Sequence, residues 1–114
     1  KNFCVKHYTS STTFNNAMKI CESEKAKLLV ITTKAQILDA VYIFGSEWTY
    51  IGLLDETSDG HWVNWKGEAL DLFWEPGQPH DAVNGDCVII WGNSGLADIN
   101  CASSLPFICQ KSNV

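Results

Sequence analysis

The 114-residue chain has no apolar run longer than five residues, far below the roughly 20 that a membrane-spanning helix needs. Membrane insertion is therefore not expected of this segment. It also lacks a basic stripe. Eight Lys and Arg face thirteen Asp and Glu, a net charge of −5, which argues against nucleic acid as a partner. No Cys-x-x-Cys spacing occurs, so zinc ribbons and thioredoxin-like redox sites have little support. There is no Asn-x-Ser/Thr glycosylation acceptor. Gly-x-Ser-x-Gly, a phosphate loop and His-Glu-x-x-His are all missing, and with them the common signatures of catalysis. Cys4 and His7 are the only thiol and imidazole close in sequence, too little for a nucleophile–base pair. The chain is not read as an enzyme. Nothing like a leader opens Lys1-Asn2-Phe3-Cys4, so a mature product or the cut-down extracellular part of a membrane protein is expected.

What is present fits one globular domain over residues 1–114. Hydrophobic residues make up 46% and charged residues 18%, too apolar for a disordered chain. Five cysteines, Cys4, Cys21, Cys87, Cys101 and Cys109, point to disulfides in an oxidising compartment. Five is odd, so one has a partner elsewhere, bridges two chains or stays a thiol.

The first third reads as helical. Phe14, Ala17, Met18 and Cys21 share one helix face, and Ser10, Ser11 and Thr12 are candidate N-caps. Leu28-Leu29-Val30-Ile31 reads as a buried strand or extended segment. Thr33 and Gln36 match a capping box. Ile37, Leu38, Val41 and Tyr42 give a second helical face, closed by Gly45. Residues 48–53 and 87–91 read as strands, residues 92–95 as a turn and residues 105–110 as a last strand. Residues 66–85 show little regular structure, and a loop of that length in a small domain is usually functional. Helices first and strands later indicate an α+β class.

At this point the chain resembles the C-type lectin-like domain along nearly its whole length. The helix with Cys21, the strand Tyr50-Ile51-Gly52-Leu53 and the loop Trp74-Glu75-Pro76-Gly77-Gln78-Pro79-His80 follow that family's order. So do Cys87, Asp98, Cys101 and Cys109. The resemblance implies two helices flanking antiparallel sheets with a long irregular loop region. It implies the bridges Cys21–Cys109 and Cys87–Cys101. Cys4 is left outside them, with a partner upstream of Lys1, an intact thiol or a bridge to a second chain.

Sugar-binding relatives hold a calcium that also ligates sugar hydroxyls. Calcium takes six to eight oxygens, several of them charged. Carried onto this chain, the ligand positions are Gln78, His80, Gly85, Ala97 and Asp98. Gln78 and Asp98 keep an oxygen. His80 offers a nitrogen, a poor calcium ligand, and Gly85 and Ala97 offer nothing. The sugar-type site is therefore expected to be absent or very weak. Gln78 and His80 then serve only to hold a loop, unless they touch ligand. An auxiliary calcium position in some relatives corresponds to Asp55, Asp59, Asp81 and Asp86. Four converging carboxylates would repel one another without a cation, and calcium could bind there; a solvated acidic loop would look the same in sequence. Zinc at His80 has no second ligand spaced for it, and His7 and His61 read as surface or satisfied side chains. Trp48, Trp62, Trp65 and Trp74 are expected in the core. Trp91 ends a strand near the presumed ligand face, where it could stack on a sugar or anchor a protein.

The expected role is extracellular recognition, as a secreted protein or receptor ectodomain, of a protein or glycan through the long loop region without the sugar-coordinating calcium. Natural-killer-receptor-like members of the family bind proteins in this way, often as dimers, so a homodimer is a further expectation. The alternative is a divergent calcium-dependent carbohydrate-binding lectin.

Overall fold

The computed structural model describes residues 3–45, 47–55, 62–78, 86–92 and 95–112. The elements, in chain order, are β1 (Phe3–Thr12), α1 (Phe14–Ser23), β2 (Lys27–Leu28), α2 (Lys34–Phe44), β3 (Thr49–Leu54), β4 (Cys87–Trp91), β5 (Gly95–Ile99) and β6 (Leu105–Ser112). The α+β class and the two helices stand as expected.

α1 forms where the apolar face predicted it, with Phe14, Ala17 and Cys21 buried. Its N-cap is Thr13, whose hydroxyl accepts the Asn16 N–H at 3.4 Å. Ser10, Ser11 and Thr12 lie in β1 instead of capping the helix. The helix closes with Lys25 at φ 59°, where the Ala26 and Lys25 N–H groups return to the Cys21 and Glu22 carbonyls, both at 2.9 Å. These are the two hydrogen bonds of a Schellman ending, and they turn the chain into β2. α2 starts with the predicted capping box of Thr33 and Gln36. Its buried face is Ile37 and Ala40, with Val41 and Phe44 packed alongside. Leu38 and Tyr42 point outward, contrary to the sequence expectation.

The strands join in one sheet, in the order β1-β6-β3-β4-β5, with β2 also on β6. The expected antiparallel pairing holds for every neighbour pair except β3 with β6, which run parallel through Tyr50 and Phe107. β1 lies against β6 with Phe3 opposite Ser112 and Tyr8 opposite Phe107.

Side chains of the central strands alternate between two cores, as the pleat requires. Phe14, Cys21, Leu28, Tyr50, Ile89 and Phe107 fill the core beneath α1. Ile37, Ile51, Leu53, Val88, Ile90 and Ile108 fill the core on the α2 side, joined by Trp62 and Trp74 from the long loop. Both implied bridges are present, Cys21–Cys109 and Cys87–Cys101, spanning 88 and 14 residues. Loop-closure entropy makes them worth about 4–5 and about 3 kcal/mol.

Gly52 explains why β2 can sit beside β3. A Cβ there would meet the Leu28 carbonyl oxygen at 2.6 Å. The glycine N–H instead donates to the Leu29 carbonyl at 2.7 Å, and the Leu29 N–H donates to Ile108 at 2.9 Å. The hydroxyl of Tyr50, fully buried, donates to the Ser103 carbonyl at 2.7 Å, with the Asn100 and Cys101 carbonyls at 3.3 and 3.2 Å. One phenol thereby fixes the turn that closes the Cys87–Cys101 bridge. Burial pushes the Tyr50 phenol up to about 12.

Candidate functional site

The long loop region begins at Asp55, the residue after β3, and returns at Asp86, the residue before β4. The Asp55 N–H donates to the Asp86 carbonyl at 2.8 Å, so register alone sets these two carboxylate residues side by side. Asp55 is fully buried and Asp86 half-buried. Asp55 is thus an inward-packed group at the root of the loop region and not part of a solvated acidic loop. Asp59 and Asp81, the other two residues carried to the auxiliary calcium position, lie outside the described residues, as do His61, His80 and Gly85. Among the described residues no group of three or more His, Cys, Asp or Glu is placed to hold a metal ion.

The second part of the site is the turn at residues 75–78. Pro76 fixes its first corner, Gly77 adopts φ +90° at the second, and the Gln78 N–H donates to the Glu75 carbonyl at 2.9 Å. Proline followed by a positive-φ glycine is the pattern of a type II turn. The turn is sewn to β5: Trp74 bridges Leu96, the Glu75 N–H donates to the Leu96 carbonyl at 2.9 Å, and the Leu96 N–H donates to the Phe73 carbonyl at 2.9 Å. Gln78 therefore hangs from the strand that carries Asp98. The Oε1 atoms of Gln78 and Glu75 are both buried and accept no hydrogen bond from the described residues. Glu75 did not stand out in the sequence; its position before Pro-Gly was the only signal.

Asp98 is 9% exposed and sits opposite Val88, whose side chain packs in the α2-side core. Ala97, its neighbour, is 0% exposed and packs into the core beneath α1. The sheet pleat thus sends these adjacent residues to opposite sides. Trp91 falls on the Ala97 side, packed against the α1 core and stacked on Trp48 at 4.8 Å between ring centroids. The structure does not bring Trp91 together with Gln78 and Asp98. Trp62 is buried and Trp74 half-buried, edge to face at 5.1 Å. Trp48 and Trp65, expected in the core, are 43% and 49% exposed. Trp48 lies just before β3 and Trp65 in a turn, so neither ring is enclosed between packed elements.

Cys4 is exposed on β1, the sheet-edge strand. The His7 and Phe44 rings pack edge to face, 5.3 Å between centroids. On the same strand, Tyr8 donates a hydrogen bond to Glu24. That bond is the main cause that holds the Glu24 carboxyl below its usual range and pushes the Tyr8 phenol up.

The family model described as the lectin C-type domain matches residues 10–111. Hepatic lectin of Gallus gallus is 26% identical over 112 residues, covering 95% of this chain and 54% of that protein. C-type isolectin Sp-CL4 of Scorpaena plumieri is 32% identical over 120 residues, covering 96% of this chain and 81% of that one. The chain thus spans about half the length of the hepatic lectin. Among solved structures, the mouse scavenger receptor C-type lectin carbohydrate-recognition domain superposes with a TM-score of 0.88 at 24% identity, covering 100% of this chain and 91% of that one. At that identity the likeness speaks for the fold.

Proposed function

Because this chain belongs to the C-type lectin domain family, we propose that it is an extracellular recognition module that binds a protein or glycan through its long loop region without a sugar-coordinating calcium. The observation that carries this reading is Ala97. It occupies a position where sugar-binding relatives place a calcium ligand, yet it has no oxygen and is buried beneath α1. Gly85 adds no donor side chain either. Gln78 and Asp98 remain, with one formal charge between them, and a calcium ion demands more. The two disulfides support an oxidising, extracellular setting, and the names of the hepatic lectin and the isolectin support glycans among the ligand classes. No helix among the described residues is long and apolar enough to cross a membrane.

A second reading is a divergent calcium-dependent lectin, which would need Asp81, Asp86 or backbone carbonyls to replace the missing ligands. The backbone hydrogen bond from Asp55 to Asp86 sets two acidic residues side by side at the loop root, which supports calcium at the separate auxiliary position. Calcium there would be ligated by these carboxylates together with Asp59 and Asp81, and would neutralise charge at the loop root.

A multivalent glycan array run with calcium and with EDTA separates the readings. Binding that survives EDTA, or no glycan binding and a protein ligand found instead, is the expected result. Binding abolished by EDTA refutes the calcium-free reading and favours the second. Light scattering on the same sample reports whether two copies pair.

A further inference from the structure

α2 is apolar on nearly every side. Only Lys34, Gln36 and Asp39 interrupt its run of Ala, Ile, Leu, Val, Tyr and Phe residues. A helix of that composition is normally enclosed by protein. Here only Ile37 and Ala40 are buried, and Leu38, Tyr42 and Ile43 are 43%, 91% and 66% exposed. α1, by contrast, turns Asn15, Asn16, Lys19, Glu22 and Ser23 to solvent. Single exposed apolar residues are ordinary, but a contiguous group is not. Leu38 with Tyr42 and Asp39 with Ile43 are i, i+4 neighbours, so the four side chains form two adjacent ridges. The apolar surface continues at both ends of the helix. Phe73, exposed, donates its N–H to the Thr32 carbonyl at 3.0 Å, just before the first turn. At the last turn Phe44 meets His7 of β1, and exposed Val5 shares the strand face of His7.

The charge around this face is one-sided. The chain has no arginine, and Lys34 is the one described lysine on α2. Its ammonium lies 5.9 Å from the Phe73 ring centroid. The other described lysines are on β1, on α1 and the residues after it, on β2, in the turn at residues 64–68 and on β6. Lys6 pairs with Glu24 at 3.6 Å. The cleft beneath Trp65 is balanced, with Lys27 paired to Glu22 at 3.8 Å and Lys66 sharing its turn with Glu68. Asp39 stands among Leu38, Tyr42 and Ile43, Glu47 follows the helix, and Asp71 lies two residues before Phe73; all three are exposed. None of them enters an ion pair among the described residues. Three carboxylates thus border the apolar face against one ammonium. A second copy of the chain does not answer this charge. Two-fold pairing of α2 would bury Asp39 of both copies with no cation between them, a like-charge contact that costs affinity.

We propose that the outer face of α2 docks a cationic amphipathic helix of a partner protein, its apolar residues on Leu38, Tyr42 and Ile43 and its lysine or arginine at Asp39 and Glu47. The surface is separate from Gln78 and Asp98, and it stands or falls independently of the loop-region reading.

The test uses the intact, oxidised chain at 0.15 M salt, where unspecific attraction between charges is screened. The probes are a soluble peptide of about five helical turns with leucine on one face and lysine on the other, and its counterpart with glutamate in place of lysine. Calorimetry gives affinity, and amide chemical shifts give location. The lysine peptide is expected to bind one to one and to shift Leu38, Tyr42 and Ile43, and the glutamate peptide not to bind. Tyr42→Ser/Ile43→Ser is expected to weaken binding at least tenfold and Asp39→Asn at least threefold, both with thermal unfolding unchanged. Glu68→Gln removes the same charge beside the Trp65 cleft and is expected to leave affinity as it was. No saturable binding, comparable affinity for the glutamate peptide, shifts centred away from α2, or equal losses in Glu68→Gln and Asp39→Asn would each overturn the proposal. So would self-association of the parent chain that Tyr42→Ser/Ile43→Ser abolishes, because a second copy would then be the occupant.

Discussion

Gly52→Ala separates two effects of opposite sign. In an unstrained site, replacing glycine by alanine stabilises a protein by about 0.4–1 kcal/mol, because the unfolded chain loses freedom. Here the added methyl would sit 2.6 Å from the Leu28 carbonyl oxygen and 3.1 Å from the Leu28 Cβ. Neither the oxygen nor its backbone can rotate away. β2 is held on both sides, by Gly52 N–H to Leu29 at 2.7 Å and by Leu29 N–H to Ile108 at 2.9 Å. Relief therefore requires β2 to move off β3. Overpacking of this kind costs about 1–3 kcal/mol, and a weakened hydrogen bond adds about 0.5–1.5. After the entropy gain, the net loss is about 0.5–4 kcal/mol. For a domain of this size that lowers the melting temperature by roughly 2–16 °C. Urea unfolding followed by circular dichroism, with both disulfides intact, reads the difference; the midpoint falls while the slope holds. A variant as stable as the parent, or more so, would refute the argument that Gly52 exists to admit the Leu28 carbonyl.

Ala97→Asn restores the residue type that sugar-binding relatives carry at this position, and it is expected to yield no calcium affinity by calorimetry. The amide would enter the α1-side core and destabilise the fold by roughly 2–4 kcal/mol through crowding and polar burial; a calcium-dependent rise in melting temperature would contradict this. Tyr50, with its phenol raised to about 12 by burial, predicts a pH window. The unfolded phenol ionises near 10, so the contribution is complete below pH 10 and is lost as pH rises from about 10 to about 12. That amounts to roughly 2–3 kcal/mol. Urea midpoints across that window should fall in the parent and fall less steeply in Tyr50→Phe, where the raised Tyr8 phenol remains.

The elements legible in the sequence were those whose apolar pattern survives in the burial. Phe14, Ala17 and Cys21 mark α1, Thr33 and Gln36 mark the start of α2, and the unbroken run at residues 87–91 is β4, buried on both faces. β1 was missed because it is an edge strand: most of its described side chains are exposed and polar, so no alternation shows. β5 was missed because Gly95, Ala97 and Asp98 carry little strand signal, although four of its five residues are buried. Leu38 and Tyr42 were placed inward because an almost wholly apolar helix does not declare its face; the smaller Ala40 faces the core instead. At the site, Gln78 and Asp98 were found by resemblance, and the sheet pleat explains why Ala97 and Trp91 face away from Asp98. The cleft beneath Trp65 joins residues from α1, β2, β3 and a distant turn, which no single stretch of sequence could reveal.

The pairing of Phe3 with Ser112 also determines how the domain bears load. A pull applied at the two ends acts across the β1–β6 ladder, opening its hydrogen bonds one after another as a zipper and not in shear. Such peeling needs little force, yet it stops at Cys21–Cys109. Only residues 3–20 and 110–112 can pay out, a tether of roughly 70 Å at full extension. The α2-side core and the loop region lie behind that covalent stop, whereas Phe14 and Ala17 of the α1-side core lie ahead of it. Under tension the module would lengthen like a short spring while the recognition surface kept its shape.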